Sequence, residues 1–276
     1  MGAITDIIEY RFALRNFVMR DLTLRYKRSF FGFLWSLLNP LLMILTFIIV
    51  FKYIFVTDEK NYSAKLFTTI LAWRFFNQAV MDGSATVGSR LGLLKQVRFP
   101  SMLLPLSSLL ANFIDFLLAI CLLVAYFIAV RVTLEWHYLL LVLVALVIQI
   151  LFTFGLSLML ASLSVFYSDV QFLVGNLFQM WFFLTPVFYS ASLVLNKFNN
   201  DPTLPVQYKY LYFLNPMAPV MMAYRSIVPD EKNVHIPTVI FPEYYTFLGL
   251  AAITAVITFI IGLVLFKRLE PVFAKQ

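Results

Sequence analysis

Four stretches of the sequence, Ser29–Phe51, Trp136–Ser168, Val170–Asn196 and Tyr244–Phe266, contain no Asp, Glu, Lys or Arg. Each exceeds the roughly 20 apolar residues that a helix needs to cross a bilayer core of about 30 Å. A soluble fold has no means of covering four such runs. Of the 276 residues, 62% are hydrophobic and 13% charged, against roughly 45–50% and about 25% in soluble domains. Thirty Phe and fourteen Tyr exclude a disordered chain. A single cysteine, Cys121, excludes an intrachain disulfide framework and a cysteine-based zinc site. The net charge of +7 points to loops lying on anionic lipid. No basic segment is interleaved as a nucleic-acid groove requires, so no nucleic-acid partner is expected.

Two further runs are interrupted by an ion: Leu66–Met81 by Arg74, and Phe99–Val130 by Asp115. Counting both gives a six-helix transmembrane domain over 29–276, with spans at about 29–56, 63–82, 103–130, 137–164, 170–191 and 244–266, and an outer region at 192–243. Within that outer region Tyr210–Tyr224 carries Pro216 and Pro219 and is too short to cross. It reads as a re-entrant or interfacial hairpin, tolerated where protein or water satisfies its backbone. Six spans place both termini on one side. Twelve basic residues fall on that side, among them Arg11, Arg15, Arg20, Arg25, Lys27 and Arg28 before the first span and Arg90, Lys95 and Arg98 between spans two and three. The excess makes this side, and both termini, cytoplasmic. The basic segment ahead of the first run is too extended for a cleaved signal peptide, so residue 1 is expected to be the mature start. Residues 1–28 form an interfacial amphipathic segment. At 100° per residue Ile4, Ile8, Val18, Met19 and Leu22 share a face, with Arg11 and Arg15 in its middle. Those two arginines either snorkel to headgroups or mark where a partner docks.

Catalytic and metal sites find little support. Gly83–Arg90 (GSATVGSR) has the glycine spacing of a phosphate loop but lacks its lysine and a preceding strand. His137 and His235 lie far apart in outer segments, and the pairs Asp58-Glu59 and Asp230-Glu231 read as solvated loop faces. Arg74 and Asp115 are different, because ions within spans are costly and face a bundle interior or a wet cavity. Either they form a structural pair across spans two and three or they contact substrate. The aromatics Trp35, Trp73, Trp181, Phe183 and Tyr189 divide in the same way between interface anchors and planes on which a sugar can stack.

Three groups of residues together resemble one family. Arg20–Trp35 (RDLTLRYKRSFFGFLW) followed by Asn39-Pro40 is similar to the approach to the first span in ABC-2-type polysaccharide exporter permeases. Phe99-Pro100-Ser101, Leu104–Ser108 (LPLSS) and Asp115 resemble the start of their third span. Tyr167–Val170 (YSDV), Gln179-Met180-Trp181 and Leu184–Tyr189 (LTPVFY) resemble their fifth, and Asn215-Pro216 with Tyr224-Arg225 the segment beyond. Ser168 departs from the pattern, standing where relatives commonly carry Arg. The resemblance implies an all-α integral membrane protein with six transmembrane helices, an N-terminal interfacial helix and an outer re-entrant hairpin before the last helix, as in type V exporters. It also implies a homodimer in the bacterial cytoplasmic (inner) membrane that works with two copies of a separate ATPase. This chain would then hold no cofactor, with ATP and Mg2+ bound by the partner. The cargo would be an undecaprenyl-linked glycan such as O-antigen, capsular polysaccharide or teichoic acid.

On this reading Trp35, Trp181, Phe183, Tyr189, Arg74 and Asp115 are candidates for the substrate path. The ATPase would dock on Arg20, Arg25, Lys27 and Arg28, on Arg90, Lys95 and Arg98, and less extensively on the turn at Asp169, because these are the sizeable cytoplasmic surfaces. An ABC-2-type drug or small-lipid exporter is the nearer alternative. An integral-membrane enzyme acting on a lipid phosphate is the alternative of a different class, and it would need His or carboxylates clustered at one membrane face.

Overall fold

The computed structural model describes residues 9–26, 34–50, 61–96, 99–200, 207–229 and 243–273. Among these residues the chain is helical and contains no strand: α1 Arg11–Tyr26, α2 Leu34–Ile48, α3 Tyr62–Ala85, α4 Leu91–Gln96, α5 Leu103–Val130, α6 Leu139–Ser164, α7 Asp169–Phe183, α8 Ala191–Asn200, α9 Gln207–Phe213, α10 Met217–Ser226 and α11 Tyr244–Phe273. Three of these, α5, α6 with the turn leading into it from Trp136, and α11, are long and apolar enough to cross a membrane. Helices α3, α6 and α11 run in one direction and α5 in the other. Ser84 near the end of α3 meets Ser164 at the end of α6, and Ser101 before α5 meets Glu270 late in α11.

The least hydrophobic of the expected spans lies at the centre. Helix α3 carries Lys65, Arg74 and Asp82, yet Ala72, Phe76, Ala79 and Val80 are fully buried between α5, α6 and α10. Surrounding helices shield it, so its composition need not match lipid. Helices α5 and α11 instead show most of their surface outward, with Ile128, Ile253 and Ile260 more than half exposed, as lipid-facing helices do. Helix α6 runs along α11 at close range through two glycines. A Cβ on Gly155 would fall 2.6 Å from the backbone nitrogen of Phe259, and one on Gly262 would strike the Gly155 carbonyl. Small residues at such contacts let backbones approach where lipid provides no hydrophobic drive between helices.

Helix ends follow local chemistry. Pro105 sits in the first turn of α5, where a missing N–H is harmless. The helix stops at Arg131, which takes a left-handed φ of 57°. The Val132 N–H then bonds the Phe127 carbonyl at 3.0 Å and the Arg131 N–H bonds Ile128 at 3.3 Å, the pairing that satisfies a helix's last carbonyls.

Two expectations change in detail. The run expected as a fifth span over 170–191 is helical only through Phe183. The chain then turns over Leu184–Ser190 around Pro186, which can neither donate to a helix nor leave Thr185 free to be helical. Residues 210–224 form two short helices, α9 and α10, parted by Asn215-Pro216, and every residue of α10 is buried. On α1, Val18 and Asp21 are buried against the bundle and Met19 is 54% exposed. Ile4 and Ile8 lie outside the described residues.

Candidate functional site

Helix α1 contains no Pro or Gly and places Asp21 and Arg25 one turn apart, on the side that packs on α5. The two ions face separate partners. Asp21 accepts from Arg90 Nη2, in the turn after α3, and from Ser107 Oγ of α5 at 3.2 Å. Arg25 Nη2 donates to Asp82 Oδ2 of α3 at 2.6 Å, while its Nη1 donates to Asp115 Oδ2 of α5. A guanidinium fork can serve two carboxylates on different helices at once, which an ammonium cannot do with the same rigidity. Gln78 Nε2 donates to Asp82 Oδ1 at 2.8 Å and Asn112 Nδ2 to Asp82 Oδ2 at 3.0 Å. The ring pair Phe17–Phe99, with centroids 5.3 Å apart, adds an apolar contact to the same seat.

Beside Arg25 opens a cavity of about 420 Å³ between α1, α2, α3 and α5. Trp35 and Asn39 of α2, Arg74, Gln78 and Asp82 of α3, and Asn112 and Asp115 of α5 line it. Asp115 lies about 18 Å along α5 from Leu103 at 1.5 Å per residue, so the cavity reaches well into the bundle.

The structure divides the expected path residues into two groups. Trp35, Arg74 and Asp115 meet at this one cavity. Trp181 belongs to an aromatic cluster on the other side of α3, with its ring centroid 5.4 Å from Phe76, 5.5 Å from Phe178 and 6.3 Å from Trp73. Its Nε1 donates to Asn215 Oδ1 at 2.8 Å, which ties α7 to the α9–α10 corner. Phe183 is 58% exposed at the end of α7. Tyr189 lies in the break after α7 and shares a hydrogen bond of 2.9 Å with the Tyr212 hydroxyl.

The break itself is held from all sides. Thr69 Oγ1 donates to the Val187 carbonyl at 2.6 Å and Tyr62 to the Phe188 carbonyl at 2.5 Å. Arg225 Nη1, on a residue only 2% exposed, donates to the Tyr189 carbonyl at 3.2 Å. Irregular backbone inside a membrane bundle requires such partners.

Of the residues expected to meet an ATPase, Arg20 and Asp169 are exposed. Arg25 and Arg90 are instead engaged within the chain. Lys95 lies in α4, and Lys27, Arg28 and Arg98 lie outside the described residues. Sequence reasoning missed Asp21, Asp82, Asn112, Gln78 and Asn39. A signal existed for two of them: Asp21 is the one acid between Arg11 and Arg28 and stands four residues before Arg25, and Asp82 follows Gln78 by one turn.

Residues 13–228 match the ABC-2 type transporter family. The chain belongs to that family. It is similar to the O-antigen export system permease protein RfbA of Myxococcus xanthus, with 32% identity over 254 residues that cover 92% of this chain and 91% of the relative. It is also similar to two proteins of that name from Klebsiella pneumoniae, at 27% and 24% identity, each over 93% of this chain and 91% of the relative. As a member of the ABC-2 family it is a transporter subunit, and both the cavity and the α9–α10 corner lie on elements within the matched region.

Proposed function

We propose that this chain is the permease subunit of an ABC transporter that exports an undecaprenyl-linked polysaccharide across the bacterial cytoplasmic (inner) membrane, O-antigen-like in preference to capsular polysaccharide or teichoic acid. The observation that carries this reading is likeness over nearly the full length to permeases named for O-antigen export. Two copies of the chain would enclose the path, and two copies of a separate ATPase would supply the energy, with ATP and Mg2+ held there.

The topology that suits this role has six spans and cytoplasmic termini. The α1 end of the bundle then faces the cytoplasm and the α9–α10 corner is re-entrant from the outside. The exposed Arg11, Arg15 and Arg20 of α1 and the turn at Asp169 give the ATPase a surface to grip. Arg25 and Arg90 act behind that surface, by fastening α1 to α3, α5 and the turn between them. Trp35 and Phe183, both exposed, offer planes along which a glycan can slide, while Trp181 holds the wall behind them. A drug or small-lipid exporter of the same family is the second reading. Neighbouring genes for glycosyltransferases and a detached ATPase favour the first.

Deleting the gene tests the proposal. The expected result is loss of surface glycan and accumulation of lipid-linked glycan inside, both reversed by the wild-type gene. Normal surface glycan together with new drug sensitivity would move the assignment to the second reading.

A further inference from the structure

The cavity beneath α1 has a charge balance that sorts its possible ligands. Two guanidinium groups, Arg25 and Arg74, stand against two carboxylates, Asp82 and Asp115, so the formal charge of the lining is zero. An entering anion would compete with both carboxylates for Arg25, and separating them from it would leave like charges on adjacent helices. An acyl chain would strand the polar lining without water.

A neutral polyol suits the remaining valences. The Asp82 carboxylate has about four acceptor sites, and Arg25, Gln78 and Asn112 occupy three. Among the described residues, the Asn39 carboxamide, Gln78 Oε1 and Asn112 Oδ1 take part in no hydrogen bond, although all three side chains line the cavity. Asn112 is 3% exposed, and both of its amide hydrogens are spent on Asp82 and the Ser108 carbonyl, so its free oxygen is fixed in place. Planar carboxylate and carboxamide groups can each address two neighbouring hydroxyls, and Trp35 supplies an aromatic face for the CH side of a sugar ring. The volume of about 420 Å³ lies near the small end of ligand pockets, roughly 300–1,000 Å³, which suits one or two sugar residues.

We infer that this cavity is a subsite for a single neutral sugar residue, held by Asn39, Gln78, Asn112 and Asp82 against Trp35. The inference rests on the proposed export of a polysaccharide and adds to it a place where one residue of the cargo is held within a single protomer. Gln78 and Asn112 are held by the bonds their amide nitrogens give to Asp82 and Ser108, so their free acceptor oxygens are preorganised and binding requires little rearrangement there.

The test uses the full chain with its ATPase in lipid nanodiscs and saturation-transfer NMR with a panel of neutral methyl hexopyranosides. At least one glycoside should receive saturation. Asn39→Ala with Gln78→Ala should weaken it about five- to tenfold, as expected for two lost hydrogen bonds. Trp35→Ala should weaken it as well, Trp35→Phe should retain most of it, and inorganic phosphate in excess should leave it unchanged. Three results would overturn the subsite: no transfer to the wild-type complex, transfer indifferent to these variants, or displacement by phosphate. The last would make the cavity an anion site, and it is read on the wild type, so it does not depend on any variant folding. The export reading fails separately, if the deletion strain keeps its surface glycan. Loss of that glycan together with a silent cavity would remove the subsite alone.

Discussion

The two ends of the helix bundle are held by different chemistry. At the α1 end the fastenings are ion pairs between distant segments: Asp21 with Arg90, and Arg25 with Asp82 and Asp115. The side chains of the Arg25 group keep 21–31% exposure and border the cavity, whereas those of Arg90 and Asp21 keep only 13% and 9%. At the α9–α10 end the fastenings are hydrogen bonds to main-chain carbonyls around the Leu184–Ser190 break, given by Thr69, Tyr62 and the deeply buried Arg225. Partly hydrated ion pairs can exchange partners at little net change in free energy. Carbonyls inside a bundle have no alternative partner and cannot be released cheaply. The Arg25 group at the α1 end can therefore rearrange, while the α9–α10 end stays fixed.

The sharpest break of this contrast is at Arg225. Arg225→Leu removes a buried donor from the Val187 and Tyr189 carbonyls and should lower stability by about 3 kcal/mol, the upper end for buried acceptors left unpaired. Thermal unfolding in detergent should show little folded protein, at low and high salt alike. A variant that melts normally would mean the break does not need its arginine.

Next in size is the α6–α11 contact, which belongs to the fixed part. Gly155→Val places side-chain atoms against the Phe259 backbone and should cost about 1–3 kcal/mol or more by overpacking. Membrane abundance checks this. Unchanged abundance would show that the helices can separate without loss.

At the α1 end the expected effects are smaller and depend on pairing. Arg25→Lys keeps the charge but not the fork, and should lose about 1 kcal/mol of stability while reducing export more than yield. Membrane abundance and surface glycan, measured together, separate the two. Equal loss of yield and export would make Arg25 a plain structural residue.

The smallest effect sharpens the placement of Trp181. Trp181→Phe keeps the aromatic packing and gives up the bond to Asn215, worth about 0.5–1.5 kcal/mol. Export per folded molecule should not change. A drop in export at normal yield would bring Trp181 back to the substrate path.

Much of this was legible in the sequence, for physical reasons that also explain the rest. The apolar runs behind α5, α6 and α11 declare themselves because those helices face lipid. Helix α3 reads weakly because its neighbours, not lipid, cover it, and it runs Tyr62–Ala85, slightly past both ends of the expected 63–82. The resemblance quoted from Arg20–Trp35 included Asp21 without assigning it a role. The partners of Asp21 and Arg25 lie 69, 57 and 90 residues away, and no local period reports a contact at such separations. Projecting α1 by its apolar residues describes its apolar face, and says nothing of the ion pairs that Asp21 and Arg25 make with the bundle. The turn after Phe183 was marked by Pro186, but the carbonyls it frees find donors on α3 and α10 that only the fold brings near.

The contrast between a movable and a fixed end is tested most directly by exchanging the charges of Arg25 and Asp115 and measuring surface glycan at matched membrane abundance. Arg25→Asp and Asp115→Arg alone should each cut export about tenfold, equivalent to about 1.4 kcal/mol, with the chain still present in the membrane. The double exchange should restore more than half of wild-type export. Single variants that export normally, or whose export falls only in step with abundance, would contradict the account, as would a double exchange no better than either single.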